Sequence, residues 1–140
     1  MRYFIISLIL LALNLSVDAQ VETDSLGFER FLYNEGDTTY TMKKYFMIFL
    51  KSGEVRSQNA EEAERIQAAH LAHLDSLQSI GALDMAGPFG DNGEIRGIVI
   101  LRVPTLEQAE ALCNADPAVK AKRLKVEVHP WWAAEGTCLR

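Results

Sequence analysis

The sequence predicts an α+β fold in ferredoxin-like order, β-α-β-β-α-β, with an antiparallel four-stranded sheet carrying two helices on one face. Three observations predict it. Four apolar runs of strand length lie at residues 43–51, 83–88, 94–103 and 123–130. Two stretches with apolar residues at helical spacing separate the first run from the second and the third from the fourth. The second and third runs are joined across Asp91-Asn92-Gly93, a turn of hairpin type, so they pair antiparallel.

The chain has 140 residues and a net charge of −5, with 19 acidic against 14 basic side chains. That is enough for one domain with a modest core. No basic stripe is present, so no nucleic-acid partner is expected.

Residues 1–19 read as a secretory signal peptide. Arg2 supplies a short positive start, residues 4–15 are apolar except for Ser7 and Asn14, and Val17-Asp18-Ala19 fits a small-residue cleavage pattern that would leave Gln20 first. The run is short for about 30 Å of hydrocarbon. No stable membrane anchor is therefore expected after cleavage, and the expected location is secreted or periplasmic. Residues 20–42 are a polar lead-in, an arm or linker holding Phe28, Phe31, Leu32 and Tyr33. Part of it is expected to pack as a short helix or arm, with a loop at 34–39. Residues 43–132 make the domain proper and 133–140 a C-terminal tail.

The first strand, KKYFMIFLK, puts Tyr45, Met47 and Phe49 on one face and Phe46, Ile48 and Leu50 on the other. Both faces are apolar, so both are expected to be covered. The first helix starts at Asn59 as N-cap, with Glu61 and Glu62 at the positive end of its dipole. At about 100° per residue, Ala63, Ile66, Ala69, Leu74, Leu77 and Ile80 share one sector, and Glu61, Glu64, Arg65, Asp75, Ser76 and Ser79 lie opposite. Gly81 suits the left-handed position that stops the helix. The second strand closes on Gly87-Pro88. The third turns Ile98 and Ile100 one way and Val99, Leu101 and Val103 the other. Thr105 with Gln108 forms a capping box for a second helix whose inward positions are Leu106, Ala109, Leu112 and Cys113. Asp116-Pro117 ends it, because the residue before a proline disfavours helical backbone. The last strand keeps Leu124, Val126 and Val128 on one face. Two helices can cover only one face of this sheet, so a second copy of the chain is the expected cover for the other, giving a homodimer.

His70 and His73 fall in the middle of the apolar sector of the first helix. The plain reading of each is a core histidine satisfied by a backbone carbonyl or a water, and for His73 this reading is preferred. A metal site of His70, His73 and either Asp116 or His129 is the weaker alternative, since no HExxH and no paired cysteines accompany it. No metal or cofactor is expected. Cys113 sits on an inward helix position and no Gly-x-Ser-x-Gly occurs, so a covalent nucleophile is not expected either. Cys113 and Cys138 are the two cysteines of the chain. One reading bonds them in an oxidising compartment. The other leaves two free thiols, because the tail has to double back to reach the helix.

The stretches AHLAHLDSLQSIGALDMAGPF, GEIRGIVILRVPTLEQAEALCNADPAV and LKVEVHPW resemble the YciI-like (YCII-related domain) family, from about Lys43 to Trp132. The signal peptide, the arm and the Cys138 tail depart from it. The resemblance implies a dimeric α+β barrel and an active site pairing a histidine on the first helix with an aspartate in the Asp-Pro element. Those positions are His70 and Asp116 here, and no role transfers to His73. A carboxylate that accepts from one imidazole nitrogen fixes the tautomer and raises the basicity of the other. The result is a general base suited to moving a proton alpha to a carbonyl or to activating water. Phe46, Met85, Phe89 and Trp131 could wall a pocket for an unknown small organic molecule, with His73 and Pro88 beside it and Gly87 allowing close approach. Two functions stay open: an exported small-molecule enzyme using the His–Asp pair for acid–base chemistry, and a non-catalytic binding or sensing module with the same pocket.

Overall fold

The computed structural model describes residues 20–139, and the signal-peptide reading of residues 1–19 lies outside them. The elements run β1 (Glu22–Thr23), β2 (Glu29–Glu35), β3 (Thr38–Ser52), α1 (Ala60–Ser79), β4 (Leu83–Pro88), β5 (Ile95–Leu101), α2 (Leu106–Ala115), α3 (Pro117–Lys120) and β6 (Leu124–Ala134). The β-α-β-β-α-β core is present as β3-α1-β4-β5-α2-β6. Its sheet order is β6-β3-β5-β4, with every pairing antiparallel.

Alternation along β3 determines where the core sits. Phe46, Ile48 and Leu50 face the helices and are buried, and on β5 Val99 and Leu101 join them. Leu77 of α1 with Ala109 and Cys113 of α2 close the layer from above. Asn59 caps α1 by accepting from the Glu62 amide at 2.8 Å. Gly81, at φ 72, turns the chain away. Ile80 therefore stands outside the helix as its C-cap and is 69% exposed, not inward as its helical phase suggested. Leu106, in the first turn of α2, is likewise at the surface.

The lead-in is neither helix nor loop. Residues 29–35 and 38–43 form a hairpin, with Glu35 opposite Thr38 and Arg30 opposite Lys43, and β1 adds a short outer strand. The sequence ERFLY-NEGD-TTYTM carries the reason: β-branched and aromatic residues flank Gly36, which takes φ 58 in a two-residue turn. The central strand consequently starts at Thr38 and not at Lys43, and the four-stranded core sheet gains two strands. β6 also runs four residues past its expected end. It is an edge strand, where Pro130 is tolerated, and it pairs with β3 as far as Ala134 opposite Met42.

The arm is tied to the domain by charge. Arg30 pairs with Asp24 and, at 3.3 Å, with Glu135 past the end of β6. Buried Lys43 lies 3.5 Å from Glu135, with its ammonium 4.4 Å from the centre of the Phe28 ring. On the sheet face away from the helices, Met47, Phe49 and Ile98 are half-buried and Trp131 is 37% exposed.

Candidate active site

α1 delivers His70 inward on the stripe that also buries Ile66 and Leu77. Asp116 comes from the joint between two helices. It is the C-cap of α2 and the N-cap of α3, with non-helical backbone (φ −59, ψ 127) imposed by Pro117 behind it. Its Oδ1 accepts from the Ala118 amide at 2.8 Å. Its Oδ2 lies 2.6 Å from His70 Nδ1. Both residues are buried, at 6% and 3% exposure. The carboxylate accepts, so Nδ1 donates, and in the neutral ring Nε2 carries the lone pair. Among the described residues no group pairs with Nε2, and no fully buried side-chain polar atom lacks a partner, so Nε2 opens toward the cavity that His70 lines.

That cavity has a volume of about 400 Å³ and lies between α1 and the end of the sheet. Gln67, His70, Leu71 and Leu74 of α1 form one wall; Leu50, Ala86, Gly87, Pro88, Gly97 and Val99 form the sheet side. Gly97 is required there. A methyl group on it would stand 2.6 Å from the Gly87 carbonyl oxygen, so strands β4 and β5 can approach only without it. Ala118, Leu124, Arg56, Arg96 and Arg123 complete the lining.

The residues singled out in sequence divide into two groups. His70, Gly87 and Pro88 line the cavity, and Asp116 stands directly behind His70. Phe46 is core, 1% exposed, beneath the helices. Trp131 pairs with Tyr45 on the other face of the sheet. Met85 and Phe89 fall outside the lining. His73 Nε2 donates to the Leu112 carbonyl at 3.0 Å and braces α1 against α2. Arg56, Gln67, Arg96 and Arg123 had carried no expectation.

Cys113 and Cys138 are free thiols, one buried in α2 and one exposed on the tail. Burial pushes the Cys113 thiol up to about 12, and the charges of Asp116 and Glu110 add to this, so it stays protonated near neutral pH. His129 is at the surface, 2.8 Å from Glu127. Among the described residues no three His, Cys, Asp or Glu side chains converge to hold a metal ion. No helix among them is long and apolar enough to cross a membrane.

A model of the YCII-related domain matches residues 45–132. No curated protein sequence matches the chain. Among solved structures it is similar to 5-chloro-2-hydroxyhydroquinone dehydrochlorinase from Burkholderia phenoliruptrix AC1100, solved in complex with 2,5-dihydroxybenzoquinone. The identity is 22% and the TM-score 0.49, over 62% of this chain and 92% of that one.

Proposed function

Because this chain belongs to the YCII-related domain family, we propose that it is a small-molecule enzyme that moves protons with His70, held by Asp116. The observation behind this is the buried 2.6 Å bond from His70 Nδ1 to Asp116, with the second ring nitrogen facing a cavity of about 400 Å³. In this reading Nε2 accepts a proton from a carbon alpha to a carbonyl, or from a water or hydroxyl. The imidazolium formed is stabilised by the Asp116 carboxylate, exchanges its Nε2 proton with solvent, and delivers a proton to the product or the leaving group.

The assembly in this reading is a homodimer joined through the open sheet face, supported by Met47, Phe49, Ile98 and Trp131, which lie there half-covered. The place of action is extracytoplasmic, on the strength of the apolar run and Val-x-Ala pattern of residues 1–19.

The test is deuterium exchange. Wild-type protein is incubated in heavy water with a panel of small carbon acids, lactones and α-keto acids among them, and the carbon-bound protons are followed by NMR. Faster exchange than in buffer, lost in His70→Gln, supports the reading. Equal exchange in wild type and His70→Gln would end it. A compound retained unchanged, with no exchange, points to a binding module instead.

A further inference from the structure

We propose that the cavity beside His70 takes a small organic anion whose charged group is gripped by Arg56, Arg96 and Arg123. This deepens the acid–base reading by naming a substrate class, and it rests on that reading only for which end of the molecule reacts.

Charge balance is the first argument. The chain as a whole is acidic, at −5, yet the cavity lining contains three arginines and no aspartate or glutamate. An acidic protein that gathers cations at one concave site has an electrostatic reason to draw anions there.

The second argument is how these arginines are held. Arg56 Nη1 donates to the Arg123 carbonyl at 3.1 Å, Arg96 Nη1 to the Gly93 carbonyl at 3.2 Å, and Arg123 Nη1 to Gln58 Oε1 at 3.0 Å. Each partner is a neutral oxygen. Among the described residues none of the three has a carboxylate within ion-pair reach, whereas Arg30 and Arg102 each do. One neutral tether orients a guanidinium and leaves most of its five N–H donors and all of its charge unspent. Three positive groups around one cavity repel one another, and a carboxylate or phosphate among them removes that cost while accepting in the paired geometry that guanidinium favours.

The third argument is the remainder of the lining. Leu50, Leu71 and Leu74 offer hydrocarbon in the same lining as the arginines and His70. A molecule with an anionic head and a short apolar body satisfies both parts, and about 400 Å³ lies at the small end of ligand pockets. The same cations favour the negative charge that builds on a carbon acid as His70 Nε2 takes its proton.

The test is an NMR titration of the full chain with benzoate, with inorganic phosphate, and with benzamide as the neutral counterpart of benzoate. Amide signals of Gly97, Ala118 and Leu124 report on the cavity wall. At least one anion is expected to shift them, benzamide is expected not to, and the tighter of benzoate and phosphate identifies the head group. The pair Arg96→Gln and Arg123→Gln should weaken the bound anion about tenfold or more. Arg96→Lys with Arg123→Lys, which keeps the charge, should recover part of that loss and so separates lost charge from lost fold. Benzamide binding as tightly as benzoate, no response to either anion, or unchanged affinity in the glutamine pair overturns the inference. His70→Gln keeps the two readings apart. Anion binding that persists while deuterium exchange disappears supports both, and persistent exchange removes the acid–base reading while the anion site stands on its own titration.

Discussion

Asp116→Asn tests the dyad with the least disturbance of shape. The carboxylate accepts twice, from His70 Nδ1–H at 2.6 Å and from the Ala118 amide at 2.8 Å. Asparagine has one carbonyl oxygen and can keep only one of these bonds in kind. If it keeps the cap on α3, its NH₂ faces Nδ1, and the imidazole has to accept there. The ring proton then moves to Nε2, and the nitrogen open to the cavity becomes a donor with no lone pair to offer. Two charge-assisted bonds are replaced by neutral ones, so the stability cost is about 1–3 kcal/mol, and urea unfolding should read it. Proton exchange on a carbon acid should fall about a hundredfold or more. Asp116→Ala removes both bonds and leaves a helix-cap amide and an imidazole without partners, at about 3–5 kcal/mol. Long-range ¹H–¹⁵N correlation of the imidazole identifies the tautomer directly. An asparagine variant with Nε2 still unprotonated and exchange at the wild-type rate would refute the reasoning, because the carboxylate would then not be what sets the base.

Four further outcomes are expected. The bond to Arg30 holds the Asp24 and Glu135 carboxyls below the ordinary carboxylate range. Their contribution is thus complete above that range and is lost as pH falls through the folded values. Hydrogen-exchange protection factors across residues 22–35, taken against the intrinsic rate at each pH, should fall on acidification before those of residues 95–101, and simultaneous loss would show that this ion network is not what holds the arm. Iodoacetamide near neutral pH should label exposed Cys138 and spare Cys113, whose thiol is pushed up to about 12; equal labelling rates in the folded protein would contradict this. Gly97→Ala forces a methyl to within 2.6 Å of the Gly87 oxygen and should cost about 1–3 kcal/mol in thermal or urea unfolding, whereas an unchanged midpoint would mean that β4 moves aside freely. Phe49→Glu on the open sheet face should give monomers by sedimentation velocity, and a wild-type monomer at micromolar concentration would count against the dimer.

The core was legible because both of its periods are plain. Phe46, Ile48 and Leu50 alternate in β3, and Ile66, His70 and Leu77 recur at helical spacing in α1, so which face is buried follows from position alone. The hairpin inside the arm was not foreseen, because its turn rests on Gly36 alone and strand pairing depends on a partner that spacing does not reveal. For the pocket, His70 stood out as an imidazole on an apolar stripe, whereas Asp116 read by itself only as a helix stop and was joined to His70 by the family resemblance alone. The aromatic walls did not hold, since Phe46 and Trp131 belong to opposite faces of the sheet and adjacency in composition carries no information about that. The three arginines left no signal: they sit in a polar loop and at two strand ends, where charged residues are ordinary.

β3 also governs how the chain can come to be folded. It is the longest of the described strands, it holds Phe46 and Ile48, two of the three largest fully buried side chains, and from Met42 to Ser52 one flank of it is paired by β6, the last of the described elements. Ile48 is synthesised long before Val128, its partner, exists. Until then the most apolar strand of the protein presents bare N–H and C=O groups along one edge, the condition under which nascent chains aggregate. A chain cut short ahead of Leu124 would lack the one element able to cover that edge. The core sheet therefore cannot close until β6 has been made, and β3 needs shielding in the meantime.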